Sequence, residues 1–130
     1  MTLDHGKVRQ IASDYTEAWN SGSPQAVAQF YARDGSIVIN RGEPWQGEAR
    51  VASMAAGFFA DVPDLKLTCD GTRCAGDHAV YLWAFTGTHS QTNKPLRVAG
   101  WEEWDLDANY KVKSSRGWYD AADYKRQTGG

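Results

Sequence analysis

The sequence predicts an α+β fold in a single domain over residues 1–130, with helices in the first half and an antiparallel sheet in the second. Apolar residues recur at helical spacing near the N-terminus and again from residue 48. Four longer runs with strand character follow from residue 65, separated by short turn signals. At 130 residues and 42% hydrophobic composition, the chain is the right size to bury one core. Helices followed by a strand meander indicate a curved sheet folded around the helices.

The first helix is predicted from about residue 3 to residue 20. It ends at Gly22, a residue that suits the left-handed position after a helix. A short second helix follows, with Ser23 as its N-cap and Pro24 as its first residue. The apolar residues on the buried face of the first helix are Val8, Ile11, Ala12, Tyr15, Ala18 and Trp19. Those of the second helix are Val27, Phe30 and Tyr31.

A short strand and a third helix complete the first half. The segment SIVIN (36–40) is rich in β-branched residues and follows the turn signal Asp34-Gly35. A loop containing Trp45 leads to a helix that begins near Glu48 and ends before Pro63.

The second half is predicted to be almost entirely strand. Short turns join consecutive strands, so neighbouring strands should run antiparallel. The tail after Asp123, which ends in QTGG, is predicted to fray. The predicted strands cover residues 65–74, 78–89, 96–106 and 111–119.

Composition excludes several classes of function. The net charge is -2 and Lys and Arg are scattered, so no basic stripe exists to bind nucleic acid. No apolar run approaches the ~20 residues needed to span a bilayer, and the N-terminus lacks an apolar signal core, which predicts a cytoplasmic protein without a membrane partner. The three His residues lack ligand-type spacing and no glycine-rich phosphate loop is present, so neither a metal nor a cofactor is expected.

Five segments, taken in order, resemble a known superfamily. They are YTEAWNSGSPQAVAQFYARDGSIVI, PWQGEARV, AVYLWAFTGTH, GWEEWDLDANYKV and GWYDAADY. Together they resemble the nuclear transport factor two-like superfamily, and more narrowly its SnoaL-like and ketosteroid-isomerase-like branch. The resemblance covers nearly the whole chain. It implies a cone-shaped α+β barrel, in which three N-terminal helices pack in a strongly curved, mostly antiparallel sheet whose outer face often serves dimerisation.

The resemblance also implies candidate catalytic residues. Tyr15 falls where the isomerases keep a phenol that donates to the steroid oxygen, and Tyr31 falls on a second tyrosine that supports it. Glu102 falls on the position of a protonated aspartic acid in the oxyanion hole. The catalytic base of the isomerases corresponds to Ile39, and a third tyrosine corresponds to Ala55. Ile cannot take a proton from carbon, so ordinary ketosteroid isomerase activity is not expected.

Strand alternation decides which glutamate of GWEEWDL points inward. If Glu102 shares the cavity face with Val98 and Trp104, then Trp101 and Glu103 face outward. A carboxylic acid ringed by aromatic side chains should have a pKa raised by desolvation. Such a group could donate a hydrogen bond or shuttle a proton near neutral pH.

Two alternatives stay open for these residues. Glu102 could be a structural acid paired with Arg97 or Lys113 across a hairpin. Tyr15 and Trp19, four residues apart on an apolar face, could simply belong to the core.

The leading hypothesis is a cofactor-independent acid–base enzyme acting on a hydrophobic small molecule. Glu102 would be the acid or base, and Tyr15 would be a hydrogen-bond donor supported by Tyr31. The alternative is a non-catalytic protein that binds or senses an apolar ligand in the same cavity, an alternative favoured by Ile39. The predicted pocket wall consists of Trp19, Trp45, Phe59, Tyr81, Trp83 and Tyr119.

A homodimer is also predicted from the outer face of the sheet. Alternation leaves Trp101 on this face, and Trp118 joins it because Tyr119 points inward. Two exposed indoles form an apolar patch that a twofold contact would cover.

Overall fold

The structure is a computed structural model that describes residues 2–129, and it is an α+β fold as predicted. The described helices are α1 (His5–Asn20), α2 (Pro24–Ala28), α3 (Glu48–Asp61) and α4 (Ala121–Gln127). The strands are β1 (Tyr31–Ile39), β2 (Trp45–Gln46), β3 (Lys66–Ala75), β4 (His78–Thr88), β5 (Pro95–Leu106) and β6 (Val112–Tyr119). Among the described residues, α4 is an addition to the three helices that the sequence predicts.

The six strands form one curved sheet in the order β2-β1-β6-β5-β4-β3. Neighbouring strands are antiparallel except β1 and β6, which run parallel. Short turns make only the strands that they join antiparallel. Most of the chain lies between β1 and β6, so no short turn joins this pair. The sheet does not close into a barrel, because β2 and β3 stand at its two separate edges. The expected barrel is therefore an open, cone-like sheet.

Local capping signals set the helix boundaries. The Asp4 side chain accepts a hydrogen bond from the backbone N–H of Lys7 at the start of α1, and Ser23 does the same for Ala26 in α2. Gly22 follows α1 with φ 74°, a conformation that glycine adopts without a Cβ clash. Gly22 and Ser23 are signals from which these helix boundaries are predicted, whereas the Asp4 cap was not predicted.

The prediction that Tyr31 lies on the second helix is wrong. The helix α2 ends at Ala28, and Tyr31 is the first residue of β1, which is longer than the predicted strand. The pairing of β1 with β6 is irregular between Tyr31 and Ser36. Gly35 allows this irregularity, since a Cβ there would lie only 2.5 Å from the carbonyl oxygen of Val112. The Asp34-Gly35 turn signal thus marks an irregularity within a strand and not the strand's beginning.

The tail after Asp123, which was predicted to fray, is helical through Gln127; its last residue, 130, lies outside the described residues. Asp120 caps α4 by accepting from the backbone N–H of Asp123. The Gln127 amide also accepts from the backbone N–H of Arg97 and donates to its carbonyl, both at 2.8 Å. The pairing of β6 with β5 extends only as far as Gly100, so the Arg97 backbone has no strand partner on the β6 side. The Gln127 side chain takes the place of that partner.

Candidate functional site

Glu102 lies on the concave face of β5 and is only 6% exposed. Glu103 points to the opposite face, where it accepts hydrogen bonds from Arg116 and from the Trp101 indole. Alternation therefore assigns the two glutamates as predicted. The alternative of an ion pair between Glu102 and Arg97 or Lys113 is wrong, because the described partners of Glu102 are all uncharged donors.

Four side chains donate hydrogen bonds to the Glu102 carboxyl group. Its Oε1 accepts from Ser115 Oγ at 2.8 Å, from Trp104 Nε1 at 3.0 Å and from the Tyr31 hydroxyl at 3.1 Å. Its Oε2 accepts from the Tyr15 hydroxyl at 3.0 Å. The two tyrosine oxygens are themselves 3.0 Å apart. The carboxyl group and the two phenols thus form a closed triangle of hydrogen-bonding contacts.

Four different elements deliver these side chains to one point. Trp104 follows Glu102 by two residues on the same face of β5, and Ser115 sits opposite Trp104 on β6. Tyr15 comes from α1 and Tyr31 from the start of β1. All four are buried, with exposures between 0% and 5%.

Aromatic packing holds the donors in place. The rings of Trp104 and Tyr81 are stacked at 5.1 Å, with an angle of 9° between their planes. Tyr15 meets both of these rings edge-on, at 5.4 Å in each case. Such edge-to-face and offset contacts are the arrangements that aromatic rings prefer.

The fixed donors determine where a proton on Glu102 would reside. An indole N–H can only donate, so the contact with Trp104 makes Oε1 an acceptor and leaves Oε2 for the acidic proton. The carboxylate accepts from all four donors, whereas in the neutral acid the contact with Tyr15 reverses, so that Oε2–H donates to Tyr15, Tyr15 donates to Tyr31, and Tyr31 donates to Oε1. Three protons then serve the three shorter oxygen–oxygen contacts, while the fourth contact, between the Tyr15 hydroxyl and Oε1, is 3.3 Å long. In the carboxylate, only the two phenol protons serve the same three contacts.

Burial and hydrogen bonding act in opposite directions on Glu102. Burial raises the pKa of its carboxyl group, and the hydrogen bonds from Trp104, Ser115, Tyr15 and Tyr31 oppose that rise without cancelling it. Burial, followed by the nearby Glu102 charge, also raises the pKa of Tyr15 and of Tyr31 well above the usual value. Both phenols therefore keep their protons, and Glu102 is the member of the group suited to exchange one.

A cavity of about 50 Å³ lies between α1, α3 and the concave face of the sheet. This volume holds a few water molecules or a compact ligand, since one water needs roughly 10–15 Å³ on this measure. Glu102 borders the cavity, whereas Tyr15 and Tyr31 lie behind it. The lining residues are Trp19, Ile37, Ile39, Met54, Phe58, Leu65, Leu67, Tyr81, Trp83, Phe85, Glu102, Gly117, Trp118 and Tyr119.

Four of the six predicted wall residues line this cavity, namely Trp19, Tyr81, Trp83 and Tyr119. The other two do not. Trp45 belongs to the edge strand β2, with the Arg50 guanidinium 5.2 Å above its ring. Phe59 packs against Trp19, with ring centroids 5.4 Å apart.

Two residues of the site, Phe58 and Ser115, were not predicted from the sequence. Phe58 lines the cavity where Phe59 was expected, and its spacing of four from the lining residue Met54 is the signal that could have found it. Ser115 gave no such signal, because its contact with Glu102 depends on the register between β5 and β6.

Tyr81 borders the cavity, but its hydroxyl already donates its proton to Thr16. The Thr16 hydroxyl donates to the carbonyl of Ala12, so in its contact with Tyr81 it can only accept. Tyr81 is therefore the donor to Thr16. Burial also raises its pKa. Glu102 is consequently better placed than Tyr81 to offer a proton to a ligand.

Residues 2–129 show no group of three or more His, Cys, Asp or Glu side chains able to hold a metal ion. None of the described helices is long and apolar enough to cross a membrane.

The profile of a family described as SnoaL-like domain matches residues 12–114. The chain belongs to the SnoaL-like family. No curated protein matches the chain significantly.

Solved structures of similar fold extend over nearly the whole SnoaL-like domain. A hypothetical protein with a ketosteroid isomerase-like fold from Catenulispora acidiphila DSM 44928, in complex with trimethylamine, has a TM-score of 0.84 and 21% identity, with 92% of each chain covered. TsrD from Streptomyces laurentii has a TM-score of 0.84 and 20% identity, with 98% of each chain covered. The epoxide hydrolase/cyclase-like enzyme SalBIII has a TM-score of 0.80 and 14% identity, covering 92% of this chain and 95% of its own. At these identities the likeness concerns the fold.

We expect the wild-type protein to lose stability as pH rises, and we expect Glu102→Gln to lack this pH-dependent loss. The pKa of Glu102 is raised from 4.5 in the folded state, so the folded protein retains a proton that the unfolded chain releases. Its stabilising contribution is complete below pH 4.5 and declines as pH rises toward the folded-state pKa. The decline is at most about 1.4 kcal/mol per pH unit. Urea denaturation of both proteins across this range measures it.

Glu103→Gln is the matched control. Hydrogen bonding by Trp101 lowers the pKa of Glu103, so its contribution is present above pH 4.5 and is lost only at lower pH. The difference in unfolding free energy between the wild type and Glu102→Gln should therefore shrink as pH rises above 4.5. The difference between the wild type and Glu103→Gln should stay constant over the same range. An advantage over Glu102→Gln that is flat or grows above pH 4.5 would contradict a neutral Glu102.

Proposed function

We propose that this SnoaL-like protein is a cofactor-independent enzyme in which Glu102 protonates an oxygen of a compact, apolar substrate. The supporting observation is a buried carboxyl group at the cavity wall that has no cation among its described partners, so that burial raises its pKa. The remaining wall is mainly aromatic and aliphatic, so it suits a hydrocarbon skeleton. The substrate oxygen belongs to a carbonyl, ether or epoxide group, since each of these accepts a hydrogen bond and donates none.

Proton transfer would proceed within the existing network. The Oε2–H bond turns from Tyr15 toward the substrate oxygen, the proton moves to that oxygen, and the bonding pair stays on Oε2. Tyr15 then redirects its own proton from Tyr31 to Oε2, while Tyr31 continues to donate to Oε1. The new carboxylate is thus met by donors on both oxygens. Donors placed where charge develops stabilise it, and only the Tyr15 hydroxyl has to rotate.

The reaction class follows from what lies near Glu102. The position of the isomerase base holds Ile39, which lines the cavity and cannot accept a proton from carbon. Acid-promoted opening of an oxygen-containing ring needs a proton donor but no carbon base. In epoxide hydrolysis, water attacks a ring carbon as its C–O bond breaks, and the proton that this water loses returns to Oε2 of Glu102. SalBIII, described as epoxide hydrolase/cyclase-like and acting in pyran ring formation, has this fold. Its likeness supports the class and does not identify a substrate.

A second candidate is non-catalytic binding of a small alkylammonium ion. Trp19, Tyr81 and Trp83 are among the rings that border the cavity beside Glu102, and aromatic faces attract cations. The relative from Catenulispora acidiphila is in complex with trimethylamine. This candidate needs an ionised Glu102, whereas the enzymatic one needs a neutral Glu102.

Hydrolysis of cyclopentene oxide, a compact epoxide, tests the enzymatic proposal. We expect turnover by the wild-type protein and a loss of about 100-fold or more in Glu102→Gln, because Gln keeps the size and the hydrogen bonds but carries no transferable proton. Glu103→Gln, whose side chain faces away from the cavity, should match the wild type. Turnover should fall as pH rises through the pKa of Glu102.

Two outcomes would contradict this proposal. One is equal turnover in wild type and Glu102→Gln. The other is the absence of turnover together with trimethylammonium binding that tightens as pH rises and disappears in Glu102→Gln. That second result would support the binding candidate.

We further propose that two copies associate through the convex face of the sheet. Trp101 is 41% exposed and lies opposite Trp118 in the pairing of β5 with β6. Trp118 is half-buried beneath the Arg41 guanidinium, 5.4 Å from its ring, and its Nε1 has no hydrogen-bond partner among the described residues. The exposed patch is therefore centred on Trp101. The cytoplasmic location stays a prediction from the sequence.

Sedimentation of the wild type and of Trp101→Glu tests this association. We expect a dimer at micromolar concentration for the wild type and a monomer for the variant, because a charge in the centre of an apolar contact is desolvated without a partner. Arg33→Glu, a charge change at another exposed position, should remain dimeric. A monomeric wild type would contradict the proposal.

A further inference from the structure

We propose that Gly117 determines which ligands reach Glu102, by leaving open a small apolar recess that receives a methyl or methylene group next to the ligand's oxygen. This inference rests on the proposed function and names a feature of the substrate. It concerns a residue to which neither the sequence reasoning nor the hydrogen-bond network assigns a role.

Gly117 faces the cavity directly beside Glu102. It is paired with Glu102 across β5 and β6, and with Ile39 across β1 and β6. It is also one of the residues that line the cavity. An inward strand position without a side chain leaves a recess in the wall at the point nearest to the carboxyl group.

The backbone does not require glycine at this position. A Cβ on Gly117 would lie 3.7 Å from Ile37 Cδ1, 3.7 Å from Ile39 Cγ1 and 3.8 Å from Glu102 Cγ, all ordinary van der Waals distances. Its φ is outside the left-handed region that favours glycine. An alanine would therefore fit without strain and would fill the recess.

Gly100 provides the contrast. A Cβ on Gly100 would lie 2.1 Å from the Trp118 carbonyl oxygen and 2.7 Å from a ring carbon of Trp83. Packing alone explains glycine there. No comparable contact explains glycine at 117, and glycine inside a strand weakens it. The missing side chain at Gly117 is thus a cost to stability that a ligand-binding role would account for.

The neighbours of the recess indicate what fills it. Two of the three atoms closest to the missing Cβ are aliphatic carbons of Ile37 and Ile39, and the third is the Cγ of Glu102. A carbon group of the ligand fits this surface better than a polar one. A ligand seated here places its adjacent oxygen next to the Glu102 carboxyl group, so the recess selects molecules with a small substituent beside the acceptor.

The test is Gly117→Ala, with cyclopentanone as a neutral binding probe and cyclopentene oxide as the turnover probe. Binding is followed by the NMR shift of the Trp104 indole N–H, which donates to Glu102 and is assigned with Trp104→Phe. We expect Gly117→Ala to weaken cyclopentanone binding by about 10- to 200-fold, the effect of one methylene in an apolar pocket. Its melting temperature should be unchanged or raised, because Ala fills space that is otherwise empty.

Gly57→Ala is the matched control. Gly57 is an exposed residue of α3, and a Cβ there would meet nothing within 4 Å. Its replacement should raise helix stability while leaving binding at the wild-type level. Weaker binding in Gly117→Ala without a lower melting temperature, together with normal binding in Gly57→Ala, supports the recess.

The remaining outcomes overturn the proposal in distinguishable ways. Unchanged binding in Gly117→Ala refutes a selective recess, and so does weaker binding together with a lower melting temperature. In either case, a loss of turnover in Glu102→Gln still supports the enzymatic function. A third outcome combines two results: Gly117→Ala loses cyclopentanone binding, and the wild-type protein does not open cyclopentene oxide. This outcome supports the recess and refutes the enzymatic function. A wild type that binds no cyclopentanone refutes the recess, and turnover of cyclopentene oxide then decides the enzymatic function separately.

Discussion

A carboxyl group buried without a cation is the constraint on which the rest of this structure depends. Moving an ionised carboxylate out of water is costly unless it is paired, and the described surroundings of Glu102 supply neutral donors only. The group responds by holding its proton more tightly. Tyr15, Tyr31 and Trp104 each form a hydrogen bond with a carboxyl oxygen that is buried away from water.

The same arrangement accommodates a change of protonation state without moving an element of the fold. The two phenols can donate to each other and to the carboxyl group, or both to the carboxylate, by rotating hydroxyl protons alone. Trp104 and Ser115 donate to Oε1 in either state. A group whose two charge states are both hydrogen-bonded is well suited to proton exchange, and the cavity brings a ligand to only one member of the network. The SnoaL-like fold supplies this cone, and the chemistry depends on the residues within it.

The sequence allowed much of this to be predicted wherever a local rule decides the outcome. Period-two alternation assigns Glu102 and Glu103 to opposite faces, and capping residues such as Ser23 fix the helix starts. The rules failed where a distant contact decides. Tyr31 joins a strand because Gly35 can approach Val112, and neither residue's neighbours in sequence reveal that approach.

One further difference has the same origin. The helix α4 depends on Gln127 meeting the unpaired side of Arg97, a contact between residues distant in the chain. Trp45 is a different case, since it was expected in the pocket wall but lies at the sheet edge with the nearby Arg50 guanidinium 5.2 Å from its ring.

Infrared difference spectroscopy at neutral pH tests the central claim most directly, because the carbonyl stretch of a protonated carboxyl group is distinct from the bands of a carboxylate. The spectrum of the wild-type protein minus that of Glu102→Gln isolates this one side chain. A neutral Glu102 predicts a protonated-carboxyl band that is present in the wild type and absent from the variant. A difference spectrum that contains only carboxylate bands would show that Glu102 is ionised and would contradict the account.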